Sequence, residues 1–132
     1  MNNAFSAQVS PAVKSGSPAL ALYEEKILSG DLWKRPELSP RDRSIITLAV
    51  LISRNHLSEQ TAQFHQALNN GVTAAEIAEI IAHLAFYSGW GNAKAAAALA
   101  AEVFQTQGID TSNLPGDDII PLPLDEKAEE QR

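Results

Sequence analysis

Cysteine is absent from the 132 residues of this chain. That absence removes disulfide cross-links, thiolate nucleophiles, dithiol redox cycles and every metal site that depends on sulfur. A basic surplus is also lacking. The formal net charge is -6, whereas a nucleic-acid binder needs a basic face against phosphate. The longest apolar run, Ile45 to Ile52, is interrupted by Thr47 and is too short to span a bilayer. The opening residues, MNNAFSAQVSPAVKSGS, carry neither the basic n-region nor the apolar h-region of a secretory signal, so a cytoplasmic location is expected. HExxH, HxxxH, GxSxG and a Gly-rich phosphate loop are all missing. With only three histidines, His56, His65 and His83, no metal site is expected.

What remains is 45% hydrophobic and 20% charged, the balance of one soluble domain with a modest core. Residues 1–16 read as an arm, 17–108 as a helical domain and 109–132 as an acidic, proline-containing tail. Asp117, Asp118, Asp125, Glu126, Glu129 and Glu130 place much of the acidic surplus in that tail, and its IIPLPL stretch suits docking on a neighbouring surface. Ser17-Pro18 and Ser39-Pro40 are helix starts, because serine caps and proline suits a first position that needs no N–H. Asp42 is placed to close a capping box behind Ser39. The helix through Ile45 to Ile52 is apolar on nearly every side and is expected to be surrounded by others. A further helix begins near Ser58 and stops at Asn69-Asn70-Gly71, with Gly71 left-handed. Thr73 and Glu76 form a capping box that opens the next helix, whose core stripe is Ile77, Ile80, Ile81 and Leu84. Ser88-Gly89-Trp90-Gly91 breaks the chain, and an alanine-rich helix from about Asn92 to Gln107 packs closely in the core or at a subunit contact. No strand is expected, so the fold class is all-α.

Three constellations can carry chemistry. His65 borders the apolar stripe of its helix (Phe64, Ala67, Leu68). A histidine placed there can have one ring nitrogen held while the other faces a pocket, which suits a general acid or base. The same position also suits a histidine that merely satisfies a backbone carbonyl. Glu76, Glu79, His83 and Tyr87 recur at spacings of three and four and share one face. Glu79 and His83 suit a carboxylate–imidazole pair, or alternatively a solvated surface ion pair. That face leads into Phe86, Tyr87 and Trp90, which could wall a pocket. Trp33-Lys34-Arg35-Pro36 with Arg41 and Arg43 forms the third group. Arginine is the natural partner of a carboxylate through its planar fork, and Arg43 directly precedes an apolar helix. Solubility charges at a helix end are the plainer reading.

Several motifs occur in order: W-x-RP-x-L (Trp33 to Leu38), RSIITLA (Arg43 to Ala49), H-x-A-L-N-N-G-V-T (His65 to Thr73), E-I-A-E-I-I (Glu76 to Ile81) and FYSGW (Phe86 to Trp90). Together they resemble the carboxymuconolactone decarboxylase family, whose fold is the alkyl hydroperoxidase D-like helical bundle. The resemblance implies about five to six helices and a homo-oligomeric ring, with a hexamer expected. The family's peroxidase-like branch uses a CxxC pair just before the histidine that matches His65. This chain has Ser58 and Thr61 at that spacing, and hydroxyls cannot form the disulfide of the redox cycle. The decarboxylase-like branch is the better match, although Thr61 stands where that branch commonly has glutamate, and Trp90-Gly91 replaces the proline that usually follows its YxG motif.

The resemblance therefore implies a cofactor-free lyase acting on a small carboxylated lactone or related ring acid, and an anionic substrate. The residues expected to carry it are His65, His83 and Glu79 as catalytic groups, and Arg43, Trp33, Tyr87 and Trp90 as substrate-binding groups. An isomerase, hydrolase or non-thiol oxidoreductase on the same fold is another reading, as is a non-catalytic oligomeric binding protein.

Overall fold

The computed structural model of the chain describes residues 10–116. The acidic cluster from Asp117 onward and the IIPLPL stretch lie outside these residues. All regular structure within them is helical: α1 Pro11–Gly16, α2 Pro18–Tyr23 running on as a π-helix Glu24–Ser29, a 3-10 turn Leu32–Lys34, α3 Pro40–Ser53, α4 Leu57–Asn69, α5 Ala74–Ser88 and α6 Trp90–Thr106. The all-α class holds, with no strand among the described residues. A short helix, α1, occupies part of the segment expected to be an arm.

The helix starts follow local chemistry. Ser17 Oγ accepts from the Leu20 N–H at 3.3 Å, and Ser39 Oγ accepts from the Asp42 N–H at 3.1 Å. Asp42 does not complete a box. Its carboxylate lies 3.7 Å from Arg41 Nη1 instead. Aspartate is one methylene shorter than the glutamate or glutamine of a full capping box. At α5 the box is complete: Thr73 Oγ1 accepts from the Glu76 N–H at 3.1 Å, and Glu76 Oε1 accepts from the Thr73 N–H at 3.0 Å.

Three helices stop by one device. The Val72 N–H donates to Ala67 O at 2.9 Å and the Gly71 N–H to Leu68 O at 3.2 Å, the paired bonds of a Schellman motif. Gly71 has φ 96°, a left-handed conformation that a Cβ would strain. The same bond pair closes α3 through Asn55 and His56, and α6 through Gly108 and Ile109. Val72 is buried, and Ile109 packs against the core, so the stops of α4 and α6 turn an apolar side chain back inward, whereas His56 at the α3 stop is exposed.

The helix that starts at Ser17-Pro18 departs from uniform α-helix, because Glu24–Ser29 is wound as a π-helix. A Cβ on Gly30 would lie 2.7 Å from the Lys26 carbonyl oxygen, so only glycine fits against this wider turn. A second departure is at the α5–α6 junction. One residue, Gly89, separates the helices, and Trp90 and Gly91 belong to α6.

The core joins α3, α4, α5 and α6. Leu48, Ile52, Phe64, Ile77 and Ala96 are all fully buried. Ala93, Ala96 and Ala100 line one side of α6, and their small side chains let α5 and α6 pack closely. The α3 helix is not enclosed within the single chain: Ser44, Leu48, Leu51 and Ile52 are buried, but Ile46 and Val50 are exposed. Helix α2 packs against α1 and the π-helix rather than on the four-helix core, and only its Ala21 is buried. Ile109 and Leu114, in the segment read as tail, also pack on the core.

Candidate active site

His65 is carried by α4, the helix whose Phe64 and Ala67 enter the core. The imidazole is itself 3% exposed. Its Nδ1 lies 2.8 Å from Nε2 of Gln107, the residue that caps the C-terminal end of α6. Burial lowers its pKa below the ordinary value of 6.5, because desolvation disfavours the charged ring. Five residues earlier on α4, the buried Gln60 donates through Nε2 to the Leu51 carbonyl at 3.2 Å. Thr61 is half-buried.

The α5 constellation faces outward. Glu79 and His83 are exposed. The His83 and Tyr87 rings stack with centroids 4.8 Å apart. Phe86 and Trp90 meet edge to face at 5.4 Å. An apolar groove of about 240 Å³ runs between α5 and α6, lined by Ile81, Ala82, Ala85, Phe86, Trp90, Ala93, Lys94 and Ala97. Among the described residues that line it, Lys94 is the one charged side chain.

Arg43 opens α3 and is half-buried. Its Nε donates to the Leu38 carbonyl at 3.1 Å and its Nη2 to the Arg35 carbonyl at 3.3 Å. These bonds fasten the Trp33–Leu38 loop to the helix. No carboxylate pairs with Arg43 among the described residues. Trp33, in the 3-10 turn, is half-buried. Arg41, by contrast, is committed to Glu76 and Asp42.

Within one chain, then, the structure brings His83 to Tyr87, Trp90 to Phe86 and the groove, and Arg43 to the Trp33 loop. The groove lining includes Trp90 but not His65, His83, Glu79, Arg43, Trp33 or Tyr87. His65 looks toward α6, because α4 packs chiefly on α3 and α6, whereas α5 packs on α6 and α3.

Two residues were missed by sequence reasoning. Gln107 lies 42 residues from His65, with no periodicity linking them. Lys94 had a weak signal, as the one charge inside an alanine run. Among the described residues no group of three metal-ligating side chains occurs, and no helix is long and apolar enough to cross a membrane.

Comparison with known proteins places this arrangement. The chain is 39% identical over 80 residues to a 4-carboxymuconolactone decarboxylase of Acinetobacter baylyi, covering 61% of this chain and 60% of that protein. It is 34% identical over 84 residues to a nitrosuccinic acid decarboxylase of Metarhizium robertsii, covering 61% of this chain and 59% of that protein. The matched region thus spans about three-fifths of each relative's length. The profile of the carboxymuconolactone decarboxylase family matches residues 18–102, from the first residue of α2 into α6. The chain belongs to the carboxymuconolactone decarboxylase family.

Proposed function

We propose that this protein is a carboxy-lyase that removes CO2 from a small carboxylated lactone or related ring acid. The observation that carries this reading is the match to two relatives that are both named decarboxylases, although their named substrates differ. Loss of CO2 breaks a C–C bond and leaves its electron pair on the substrate. The pair must delocalise onto an electronegative atom, and the carbon then takes up a proton. The protein has three tasks: to bind an anion, to stabilise the delocalised charge and to manage one proton.

Arg43 suits the first task, because its guanidinium is held by two carbonyls and pairs with no carboxylate among the described residues. His65 suits the acid–base and charge-stabilising role, as a buried imidazole fixed on one side by Gln107 and with its pKa lowered by burial. His83 and Glu79 act as supporting groups on α5. Trp33, Tyr87 and Trp90 supply apolar walls, which favour departure of the carboxylate charge as neutral CO2.

The working form in this reading is a homo-oligomer, with a hexamer expected. The support is the apolar surface that a single chain leaves in water. Tyr87 and Phe86 are each 80% exposed and Trp90 60%, and Ile46 and Val50 open a second face on α3. A second copy over α5 would enclose His83, Tyr87 and Trp90. The test is CO2 release from 4-carboxymuconolactone and, in parallel, from nitrosuccinic acid. Turnover of either supports a carboxy-lyase and separates the two substrate classes. Absence of turnover with both, in protein whose folding is verified, contradicts the reading.

A further inference from the structure

The chain leaves two apolar faces in water that do not pack on each other. The first runs along residues 18–29, where α2 continues as the π-helix. Leu20, Tyr23, Ile27 and Leu28 fall at positions i, i+3, i+7 and i+8, the stripe of an amphipathic helix. They are 56%, 57%, 56% and 42% exposed. Glu24, at i+4, lies on the same stripe, whereas Lys26 falls off it. This segment packs on α1 and the 3-10 turn rather than on α5 or α6.

The second face is the groove between α5 and α6. Alanines from both helices line it, so another helix can come close to the backbone, and Phe86 and Trp90 stand beside them as exposed walls. Lys94 is the one cation among its lining residues. Neither Lys94 nor Glu24 is ion-paired among the described residues.

We propose that residues 18–29 of a second copy seat in the α5–α6 groove, with Leu20, Tyr23, Ile27 and Leu28 against Phe86 and Trp90, and Glu24 against Lys94. Shape and charge select this pairing. An apolar helix stripe anchored at i, i+3 and i+7 is what an apolar groove between two helices accepts. The exposed Ile46 and Val50 lie on one helix, α3, and offer a ridge rather than a trough. The stripe carries one acid among apolar anchors, and the groove carries one cation among apolar walls, so each charge finds its partner as water leaves. Each copy gives one segment and receives one. The inference rests on the homo-oligomer proposed above and names the surfaces that build it.

The test places the photoreactive residue p-benzoyl-phenylalanine at position 86 of the full chain, an aromatic for an aromatic on the groove wall. After illumination, the expected product has twice the chain mass on a denaturing gel, and the captured peptide lies within residues 18–29. Capture of those residues without doubling of the mass overturns the proposal, as does capture of α3, of another α5 or of residues 117–132. A charge exchange gives a second readout without the bulky probe. Lys94→Glu and Glu24→Lys should each weaken self-association roughly tenfold or more, by setting like charges face to face, and the double variant should recover most of the loss. Losses that add in the double variant, or no loss in either single variant, overturn the proposal. Light scattering on the wild type and CO2 release are read separately. An oligomer with the wrong peptide captured fails this inference alone, whereas a single-chain mass removes the homo-oligomer and this inference with it.

Discussion

Arg41 and Glu76 form an ion pair across 35 residues of sequence, joining the first turn of α3 to the first turn of α5. The same Glu76 closes the capping box with Thr73. One carboxylate thus caps its own helix and ties it to another. Its pKa is lowered from 4.5, first by the hydrogen bond from the Thr73 backbone and then by the hydrogen bond from Arg41.

A pH dependence follows. A carboxylate whose folded pKa is depressed contributes stability above its unfolded value, and that contribution is lost as pH falls through the folded value. Glu76 should therefore stabilise the fold fully above pH 4.5 and progressively less below it. His65 acts in the same direction: its folded pKa is depressed, so stability is lost as pH falls below 6.5 toward the folded value. Denaturant unfolding of wild type and Glu76→Gln at stepped pH checks the first. The gap between them should be widest near neutrality and should close in acid. A gap independent of pH contradicts the assignment.

Self-association is the second expectation. Phe86, Tyr87 and Trp90 on one face, and Ile46 and Val50 on another, expose large apolar side chains, and contiguous patches of this kind mark interaction surfaces. Light scattering at micromolar concentration should give a multiple of the single-chain mass. Phe86→Asp combined with Trp90→Asp should lower it. A single-chain mass for the wild type contradicts the account.

Thiol chemistry supplies a third. With no cysteine in the sequence, purified protein should not consume organic hydroperoxides with a dithiol as reductant. Sustained, protein-dependent consumption in metal-free buffer would contradict this.

Local signals carried most of the fold. The Thr73–Glu76 box and the Asn69-Asn70-Gly71 stop each depend on residues within a few positions, so each was legible and each is present in the bond pattern. The π-helix was not legible, because six residues are too few for apolar spacing to separate one helical winding from another, and Gly30 reveals its role only against the Lys26 carbonyl. Nor was the open face of α3: Ile46 and Val50 look like core residues in a pattern that cannot say where one chain ends and another begins. At the candidate site, residue types were legible and pairings were not. Arg43 stood out by its place before an apolar helix, but its bonds to the Arg35 and Leu38 carbonyls depend on how the preceding loop folds. Asn70 was read as part of a helix stop, yet its side chain also donates to the Ser44 hydroxyl at 3.0 Å and ties α4 to α3. Gln107 reaches His65 only because α4 and α6 pack together.

The most direct measurement of the central claim is the rate of CO2 release from 4-carboxymuconolactone by wild type and by His65→Gln, with the oligomer mass of both verified. The account predicts turnover by the wild type and a loss of roughly a hundredfold or more in the variant, the scale of one acid–base or charge-stabilising group. Equal turnover by the two proteins would remove His65 from the reaction and contradict the account.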